Sequence, residues 1–455
     1  MSESQLQVGQ RIRLRLDSLA SGGDAVGRHE GMAVFVMWGC PGDEAEVEIT
    51  EVSRRFARGV VREVISPSPD RVAPPCPHFG DCGGCQLQHI AYEAQLRHKA
   101  AIVRDSLSRI GGLPDVEIPE TLGMDHPWRY RGRADYHAQL NSSGELALGF
   151  ARHHTHDIVP LQECRIQHPL AERIRTGVLE TMARVAQSAG ERAALLQVET
   201  LVSFASDRGL TTLVCDGQPP FLQSAAEVLM DKIRGLAGVL FARKRGRGAP
   251  RRSPAEVIAG EGHIVEDLAG NTYRVSPDAF FQSSPVQAAC MLEVVQEWAK
   301  VGKEDVVLDV YSGVGTFLLP LAAGAHQGFG IEAEAASLSD ARTNLRARRL
   351  GNVTLYHGKA ERLLARFAER GQRADIVVLD PPRKGCGPIV LAHVAKLQPR
   401  RIILVSCHPA TLARDLKTLA EHGYLARRIQ PVDMFPQTWH VEAVVLCERR
   451  SAAQG

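Results

Sequence analysis

The fold is decided by the stretch Val306-Val307-Leu308-Asp309-Val310-Tyr311-Ser312-Gly313-Val314-Gly315-Thr316-Phe317, in which a buried strand runs directly into a glycine-rich turn. The turn opens a helix predicted over residues 317–323, so backbone amides and the helix N-terminus face the crevice beyond the strand. The next strand, over residues 328–331, ends in Glu332, about twenty residues further on, where a carboxylate can accept both hydroxyl hydrogens of a ribose. This order of elements predicts a site for a nucleoside cofactor.

From residue 276 onward strands alternate with helices, which predicts an α/β domain on a mostly parallel sheet. An amphipathic helix is predicted over residues 285–299. A later strand ends in Asp380-Pro381-Pro382-Arg383-Lys384-Gly385, whose prolines stiffen a turn and place Asp380 beside any bound cofactor. Taken alone, this aspartate equally suits a helix N-cap. Further strands are predicted over residues 353–356, 376–379, 401–405, 426–430 and 443–447.

The strand over residues 401–405 leads into Ser406-Cys407-His408-Pro409, and Pro409 forbids its continuation. Cys407 therefore lies where strand gives way to loop, and ligands of open α/β sheets bind beyond the carboxyl ends of the strands. An isolated cysteine is more often a small buried hydrophobe, but this position makes Cys407 a candidate nucleophile. A free thiol is mostly protonated at neutral pH, so we expect the site to lower the pKa of Cys407 or to hold a base near it.

The N-terminal residues contain short alternating runs separated by turn signals, which predict a small β-barrel over residues 1–67. Such barrels commonly bind oligonucleotides, although a structural appendage fits the pattern equally well. Ser66-Pro67-Ser68-Pro69 is typical of a linker. An α+β stretch follows up to residue 275. The predicted domains are therefore residues 1–67, 68–275 and 276–455.

Three cysteines lie close together in Cys76-Pro77-His78-Phe79-Gly80-Asp81-Cys82-Gly83-Gly84-Cys85, where the glycines let several sulfurs converge on one centre. Cys164 is the best candidate for a fourth metal ligand, because the nearer alternatives, His78 and His89, would favour zinc. Four thiolates suit either a zinc ion or an iron-sulfur cluster. The spacing alone does not separate these two metal sites.

The 455-residue chain is 44% hydrophobic and 23% charged, which is ordinary for a globular protein. No apolar run approaches the ~18 residues of a membrane span and residues 1–10 are polar, so we expect a cytoplasmic protein without a membrane partner. In a reducing compartment its ten cysteines favour metal ligation or catalysis over disulfides. The net charge of +2 decides little, but local clusters are candidate phosphate contacts, namely residues 243–252, Arg54, Arg55 and Arg58, and Arg129, Arg131 and Arg133.

In this order the motifs resemble those of the S-adenosylmethionine-dependent RNA uracil-C5 methyltransferases, and more closely the 23S ribosomal RNA branch that carries a TRAM domain and an iron-sulfur cluster. The resemblance covers nearly the whole chain and includes Phe280-Phe281-Gln282 and Phe435-Pro436-Gln437-Thr438-Trp439-His440-Val441-Glu442. It implies an OB-like TRAM barrel, an α+β central domain with a [4Fe-4S] cluster and a Rossmann-like class I methyltransferase domain. The chain departs from the family at three positions. It has His408 where many relatives have asparagine, Ser312 where they often have cysteine, and Gly132 where asparagine is usual.

The resemblance also implies roles for individual residues. Cys407 would be the nucleophile that adds to carbon-6 of uracil, and Glu442 would accept the carbon-5 proton after methylation, giving 5-methyluridine. Taken alone, Glu442 could be an ordinary strand-end carboxylate. The contacts to the methyl donor would be Gln282, Tyr311, Glu332 and Asp380, and the cluster ligands would be Cys76, Cys82, Cys85 and Cys164.

Alternative functions stay open at this point. The same chemistry serves the T-loop uridine of tRNA as well as 23S rRNA. RNA cytosine-C5 methylation is less favoured, because those enzymes usually place a catalytic cysteine after a proline, and this chain has Asp380-Pro381-Pro382. A non-catalytic iron-sulfur protein that binds RNA or senses redox state is the alternative from another class. RNA is the predicted partner, and no protein partner is predicted.

Overall fold

The computed structural model describes residues 6–153, 155–244 and 252–450. The N-terminal strands are β1 (Arg11–Leu19), β2 (Ala25–His29), β3 (Met32–Met37), β4 (Glu44–Val52) and β5 (Phe56–Ser66). They form a closed barrel in the order β1-β2-β3-β5-β4, with β3 and β5 parallel. Alternate residues of β1 point inward, since Leu14 and Leu16 are buried and Arg15 between them is exposed. The predicted barrel is confirmed, although the sequence pattern misses β2, which is short and contains Gly27.

The predicted linker is fastened to the barrel by a buried carboxylate. Asp43 has no exposed surface, and its oxygens accept hydrogen bonds from the backbone N–H groups of Cys40 and Ser68. The guanidinium of Arg71 donates to the same carboxylate at 2.6 Å. Because a buried charge is costly unless it is paired and hydrogen-bonded, this contact fixes the path of the chain after β5.

The middle of the chain contains a mixed sheet and its helices. The elements are α1 (Tyr92–Arg109), β6 (Arg133–Leu140), β7 (Leu146–Ala151), β8 (Ile158–Pro160), α2 (Pro169–Val185), α3 (Ala189–Ala193), β9 (Leu195–Ser203), β10 (Arg208–Cys215), α4 (Leu222–Lys232), β11 (Leu236–Arg243), β12 (Glu256–Gly260), β13 (Ile264–Leu268) and β14 (Asn271–Val275). The sheet order is β12-β11-β10-β9-β6-β7-β8. Helices α2 and α4 pack together on it.

The C-terminal part is a second mixed sheet with helices on both faces. Its elements are α5 (Pro285–Ala299), β15 (Val306–Val310), α6 (Leu318–Ala322), β16 (Gln327–Glu332), α7 (Ala335–Ala347), β17 (Val353–His357), α8 (Ala360–Glu369), β18 (Ile376–Leu379), α9 (Pro388–Lys396), β19 (Arg401–Ser406), α10 (Pro409–Glu421), β20 (Tyr424–Val432) and β21 (Glu442–Arg449). The helix predicted over residues 285–299 and the strands over 306–310 and 376–379 have the predicted bounds.

The strand order of this second sheet is β17-β16-β15-β18-β19-β21-β20, with β21 antiparallel to both of its neighbours. From the central strand β15, the chain first builds outward through β16 and β17 and then returns to β18 on the other side. Such a reversal leaves a crevice at the carboxyl ends of the central strands. The crevice lies above the turn at residues 311–316.

Two elements outside the C-terminal segment contribute to its core. Helix α1 packs against α10 and β20, and its buried Val103 and Leu107 share a core with Leu412. The hairpin β13-β14 packs against α5 and α7, and its buried Tyr273 belongs to the same core as residues of α5 and β15. The boundaries at residues 67 and 275 stay predictions. No helix among residues 6–153, 155–244 and 252–450 has the length and apolar character needed to cross a membrane.

Candidate active site

The register of β19 against β21 brings the two predicted catalytic residues together. Ser406 is the partner of Ala443 in this antiparallel pair, so Cys407 and Glu442 lie directly beyond it, at the same edge of the sheet. Glu442 is buried, and Cys407 is partly exposed at the start of the loop before α10. A thiol and a carboxylate thus adjoin in the crevice, although 34 residues separate them in the sequence.

Burial raises the pKa of both groups, and the Glu442 carboxylate raises that of Cys407 further. Burial raises the pKa of Glu442 to about 8, with a smaller contribution from the charge of Asp380. Burial also raises the pKa of Cys407 to about 12, and the Glu442 carboxylate adds to the shift. The sequence analysis expected either a lowered thiol pKa or a base near the thiol. The thiol pKa is raised, and whether Glu442 acts as that base stays a prediction.

Two residues that the sequence analysis did not assign a role lie beside this pair. The guanidinium of Arg383 lowers the pKa of both Cys407 and Glu442, so it is the cation that favours the ionised form of each. A weak hydrogen bond of 3.4 Å joins Arg383 Nη2 to His440 Nε2. Burial lowers the pKa of His440 to about 3, so the ring stays neutral. Sequence analysis could have singled out both residues, because Arg383 lies in the proline turn with Asp380 and His440 precedes Glu442 by two residues.

His408, next to Cys407 in the sequence, has a local structural role. Its ring Nδ1 accepts the backbone N–H of Thr411 at 3.3 Å and caps the N-terminus of α10. The imidazole is thereby turned toward the helix. Proton transfer from the thiol therefore falls to the other groups in the crevice.

Three acids surround the floor of the crevice. Asp309 is fully buried, its carboxylate has no side-chain hydrogen-bond partner among the described residues, and only the backbone N–H of Leu318 contributes to stabilising its charge. Burial, followed by the charges of Asp380 and Glu332, raises the pKa of Asp309 well above its usual value. Burial also raises the pKa of Asp380 to about 7. Because a nearby cation would relieve this repulsion, the residues present fit a positively charged ligand such as a sulfonium.

The glycine turn and Glu332 form one unit. Glu332 Oε2 accepts the N–H of Gly313 at 2.8 Å, and its Oε1 accepts the N–H groups of the two residues that follow. Tyr311 has a φ of 69°, a left-handed conformation that is rare for a non-glycine residue and is common at functional sites. The turn is therefore held against β16, with Glu332 at the end of that strand and Tyr311 at the crevice.

Gln282 reaches the crevice from the other side, where its Nε2 lies 3.4 Å from Asp380 Oδ2. Two arginines of the predicted basic clusters hold the segment ahead of it. Arg133 donates to the backbone carbonyls of Pro277 and Ala279. Arg252 pairs with the carboxylates of Glu199 and Asp278. Arg252 is thus unavailable for RNA phosphates, and residues 245–251 of its cluster lie outside the described residues.

The proline turn that carries Asp380 and Arg383 is tied to α10. Asp415 accepts the N–H groups of Cys386 and Gly387, and Gly385 packs directly beneath them with a φ of 82°. A Cβ at Gly385 would lie 2.3 Å from Thr411 Cγ2 and 2.6 Å from Asp415 Oδ2. Only glycine therefore lets the turn approach the helix this closely.

The four predicted cluster cysteines line a single cavity of about 540 Å³ in the middle of the chain. Cys85 and Cys164 are buried, and burial together with the neighbouring thiols raises the pKa of both, that of Cys164 to about 12. Within the part of the chain that the structure describes, however, no three His, Cys, Asp or Glu side chains are grouped so that they could hold a metal ion. The four thiols therefore share one cavity, but among the described residues their arrangement shows neither a zinc site nor an iron-sulfur cluster site.

The whole chain is similar to known RNA methyltransferases. The tRNA (Uracil-5-)-methyltransferase family matches residues 91–450, and the TRAM domain matches residues 5–61. An uncharacterized RNA methyltransferase of Caldanaerobacter subterraneus is 34% identical over 453 residues, covering 98% of this chain and 100% of that protein. Another, of Gloeobacter violaceus, is 35% identical over 448 residues and covers 97% of each chain.

The crystal structure of the Pyrococcus abyssi tRNA (uracil-54, C5)-methyltransferase with S-adenosyl-L-homocysteine gives a TM-score of 0.76 at 25% identity, over 96% of this chain and 99% of that one. The predicted class I methyltransferase fold and the TRAM barrel are thereby confirmed. The non-catalytic alternative is not favoured, because the matching family and relatives are methyltransferases. The chain is an RNA methyltransferase that uses S-adenosylmethionine, and it belongs to the tRNA (uracil-5-)-methyltransferase family.

Proposed function

We propose that the enzyme methylates carbon-5 of a uridine in RNA through a covalent adduct between Cys407 and carbon-6 of uracil. The observation that carries this proposal is the pairing of β19 with β21, which sets Cys407 beside Glu442 at the crevice. S-adenosylmethionine supplies an electrophilic methyl group on a sulfonium sulfur, and the acids at the crevice suit its positive charge. Its proposed contacts are Gln282, Tyr311, Glu332 and Asp380.

Carbon-5 of uracil is a poor nucleophile until the ring is activated. The Cys407 thiolate adds to carbon-6, and the electrons of the ring double bond move onto carbon-5 and the carbonyl oxygen at carbon-4 as an enolate. Carbon-5 then attacks the methyl group, the bond between that methyl and the sulfonium sulfur breaks to release S-adenosylhomocysteine, and the carbonyl reforms. Arg383 favours the thiolate, since its charge lowers the pKa of Cys407.

The adduct must then lose the proton on carbon-5. Glu442 in its carboxylate form takes that proton, the electrons reform the ring double bond, and the bond between carbon-6 and Cys407 breaks to release the thiolate. Burial raises the pKa of Glu442 to about 8, which makes the carboxylate a stronger base than an exposed glutamate. Proton removal therefore becomes faster as the pH rises toward 8.

The target base cannot react while it is stacked in a helix, so the enzyme must take it from a loop or flip it out. On the barrel, Phe35 and Phe56 are partly exposed. The guanidinium of Arg58 lies 5.7 Å from each ring, although it is itself paired with Asp24 at 2.9 Å. Arg54 and Arg55 are exposed next to them. Aromatic faces interleaved with arginines suit single-stranded RNA, which favours this side of the barrel as an RNA contact.

We propose 23S rRNA as the substrate, on the motif resemblance alone. A uridine in tRNA is the second candidate, and it is favoured by the similarity to the Pyrococcus abyssi tRNA (uracil-54, C5)-methyltransferase. The test is methyl transfer from labelled S-adenosylmethionine into unmodified 23S rRNA and tRNA transcripts, followed by nucleoside analysis. The expected product is 5-methyluridine in the 23S rRNA transcript alone, abolished by Cys407→Ala. Product in tRNA alone would overturn the rRNA assignment, and product from Cys407→Ala would overturn the adduct.

We also propose that Cys76, Cys82, Cys85 and Cys164 hold a [4Fe-4S] cluster with a structural role, since methyl transfer by this route needs no electron. Their convergence on one cavity supports the proposal. Anaerobically purified protein is expected to contain about four iron and four sulfide per chain, with less of both in Cys164→Ser. One zinc ion per chain, or no metal, would contradict it.

The domain division at residues 67 and 275 and the cytoplasmic location likewise remain proposals.

A further inference from the structure

The loop between β20 and β21, residues 433–441, leads directly to Glu442 but is held by residues from the middle of the chain. We propose that α1, the residues Gln86 and Leu87 before it, and Tyr130 together position Glu442. Removing their contacts with the loop should therefore slow proton removal from the methylated adduct more than it slows adduct formation. This inference rests on the proposed function and extends it to residues that do not touch the substrate.

The first contact is a buried ion pair. Lys99 on α1 and Asp433 in the loop both have no exposed surface, and Lys99 Nζ lies 2.5 Å from Asp433 Oδ1. The same Nζ donates to the carbonyl of Phe435 at 3.1 Å. Tyr92, at the start of α1, donates to the second oxygen of Asp433 at 2.9 Å. Because an unpaired buried charge is strongly unfavourable, each partner fixes the position of the other.

The second contact surrounds Gln437. Its backbone N–H donates to Gln95 Oε1 at 3.1 Å, and its side-chain oxygen accepts from Gln95 Nε2 at 3.0 Å. Its backbone carbonyl accepts the N–H groups of Gln86 and Leu87 at 3.0 and 2.9 Å. Gln437 has a φ of 68°, a conformation that persists in a non-glycine residue when its surroundings impose it. Tyr130 adds a hydrogen bond of 2.9 Å to the carbonyl of Pro436.

These contacts converge on one short stretch of loop. Gln437 precedes Glu442 by five residues, and the hydrogen bonds of Thr438 with Phe435 and His440 lie within the loop. Position matters because a displacement of about 1 Å can cost about a hundredfold in rate. Gln86 and Leu87 follow Cys85 directly, so the loop also joins the cysteine cavity to the proposed base.

The test separates positioning from folding. Lys99→Met with Asp433→Asn removes both charges, so no lone charge is buried, and Tyr130→Phe removes one hydroxyl. The matched control is Tyr424→Phe, because the Tyr424 hydroxyl also donates to a proline carbonyl, that of Pro399, at 2.8 Å. Each variant is assayed for kcat, for KM and for the fraction of protein in a denaturation-resistant adduct with RNA.

The expected result for the double variant is a fall in kcat of about tenfold or more, with KM for RNA changed less than about twofold. The RNA adduct should accumulate, as in Glu442→Gln, because methylation precedes proton removal. Tyr130→Phe should show the same pattern more weakly, and Tyr424→Phe should behave as wild type. Folded variants with unchanged kcat, or with adduct and product reduced in parallel, would overturn the inference.

Wild type and Glu442→Gln, measured in the same assay, separate this inference from the proposed function. If wild type forms 5-methyluridine and Glu442→Gln accumulates adduct, while the α1 variants do not, only the positioning role fails. If neither wild-type product nor Glu442→Gln adduct is detected, the proposed mechanism fails and takes this inference with it.

Discussion

Replacing Glu442 by glutamine is expected to stabilise the fold at neutral pH while it blocks turnover. Glu442 is buried, and its pKa is raised from 4.5 to about 8. The folded protein therefore keeps a proton that the unfolded chain has already lost at neutral pH. An acid whose folded pKa is raised contributes most stability below its unfolded pKa and loses that contribution as the pH rises through this window.

The magnitude follows from the two pKa values. At pH 7 the carboxyl of Glu442 is ionised in the unfolded chain and mostly protonated in the folded protein. At about 1.36 kcal/mol per pKa unit, this difference lowers the free energy of unfolding by about 3 kcal/mol relative to a side chain that does not ionise. At pH 5 the same calculation gives less than about 1 kcal/mol. Glutamine has no such dependence. The advantage of Glu442→Gln over wild type should therefore grow by about 2 kcal/mol between pH 5 and pH 7.

Urea unfolding of wild type and Glu442→Gln at pH 5, 6 and 7 measures this difference. The control is Glu369→Gln, at the exposed end of α8, which should shift the free energy of unfolding little and equally at each pH. If Glu442→Gln changes stability by the same amount at pH 5 and pH 7, the carboxyl is not held in its protonated form, and the argument for a strengthened base is wrong.

Three further perturbations test the site. Arg383→Met should move the acid limb of the pH–rate profile up by about one pH unit and lower the rate at pH 7 about tenfold. The reason is that the charge of Arg383 lowers the pKa of both Cys407 and Glu442. The control variant Lys384→Met should leave the profile unchanged. Gly385→Ala should cost about 3 kcal/mol of stability in thermal unfolding, against about 1 kcal/mol for Gly387→Ala, which meets no neighbouring atom. S-adenosylmethionine at about 100 times its Kd should raise the free energy of unfolding by about 2.7 kcal/mol; no rise would argue against a ligand site in the crevice.

Much of the C-terminal fold could be predicted because its signals are local. β18 is a continuous apolar run and β15 is interrupted only by Asp309, Pro285 starts α5, and Pro409 ends the strand that leads to Cys407. The basic clusters were less informative, because an arginine side chain can serve phosphate or backbone carbonyls equally well. Arg133 and Arg252 bind protein groups, and this choice depends on partners 26 to 146 residues away in the sequence.

By itself the sequence determined the N-terminal barrel, the α/β class of the C-terminal part and the residue types at the carboxyl ends of the strands, because hydrophobic periodicity and turn chemistry act over a few residues. It also indicated Cys407 by its position at the end of a strand, and Glu442 only through family resemblance. Tertiary structure decided that these two adjoin, through the register of β19 with β21. It also decided that Lys99 of α1 pairs with Asp433. Such pairings depend on which buried groups meet across the fold, and no local pattern encodes that.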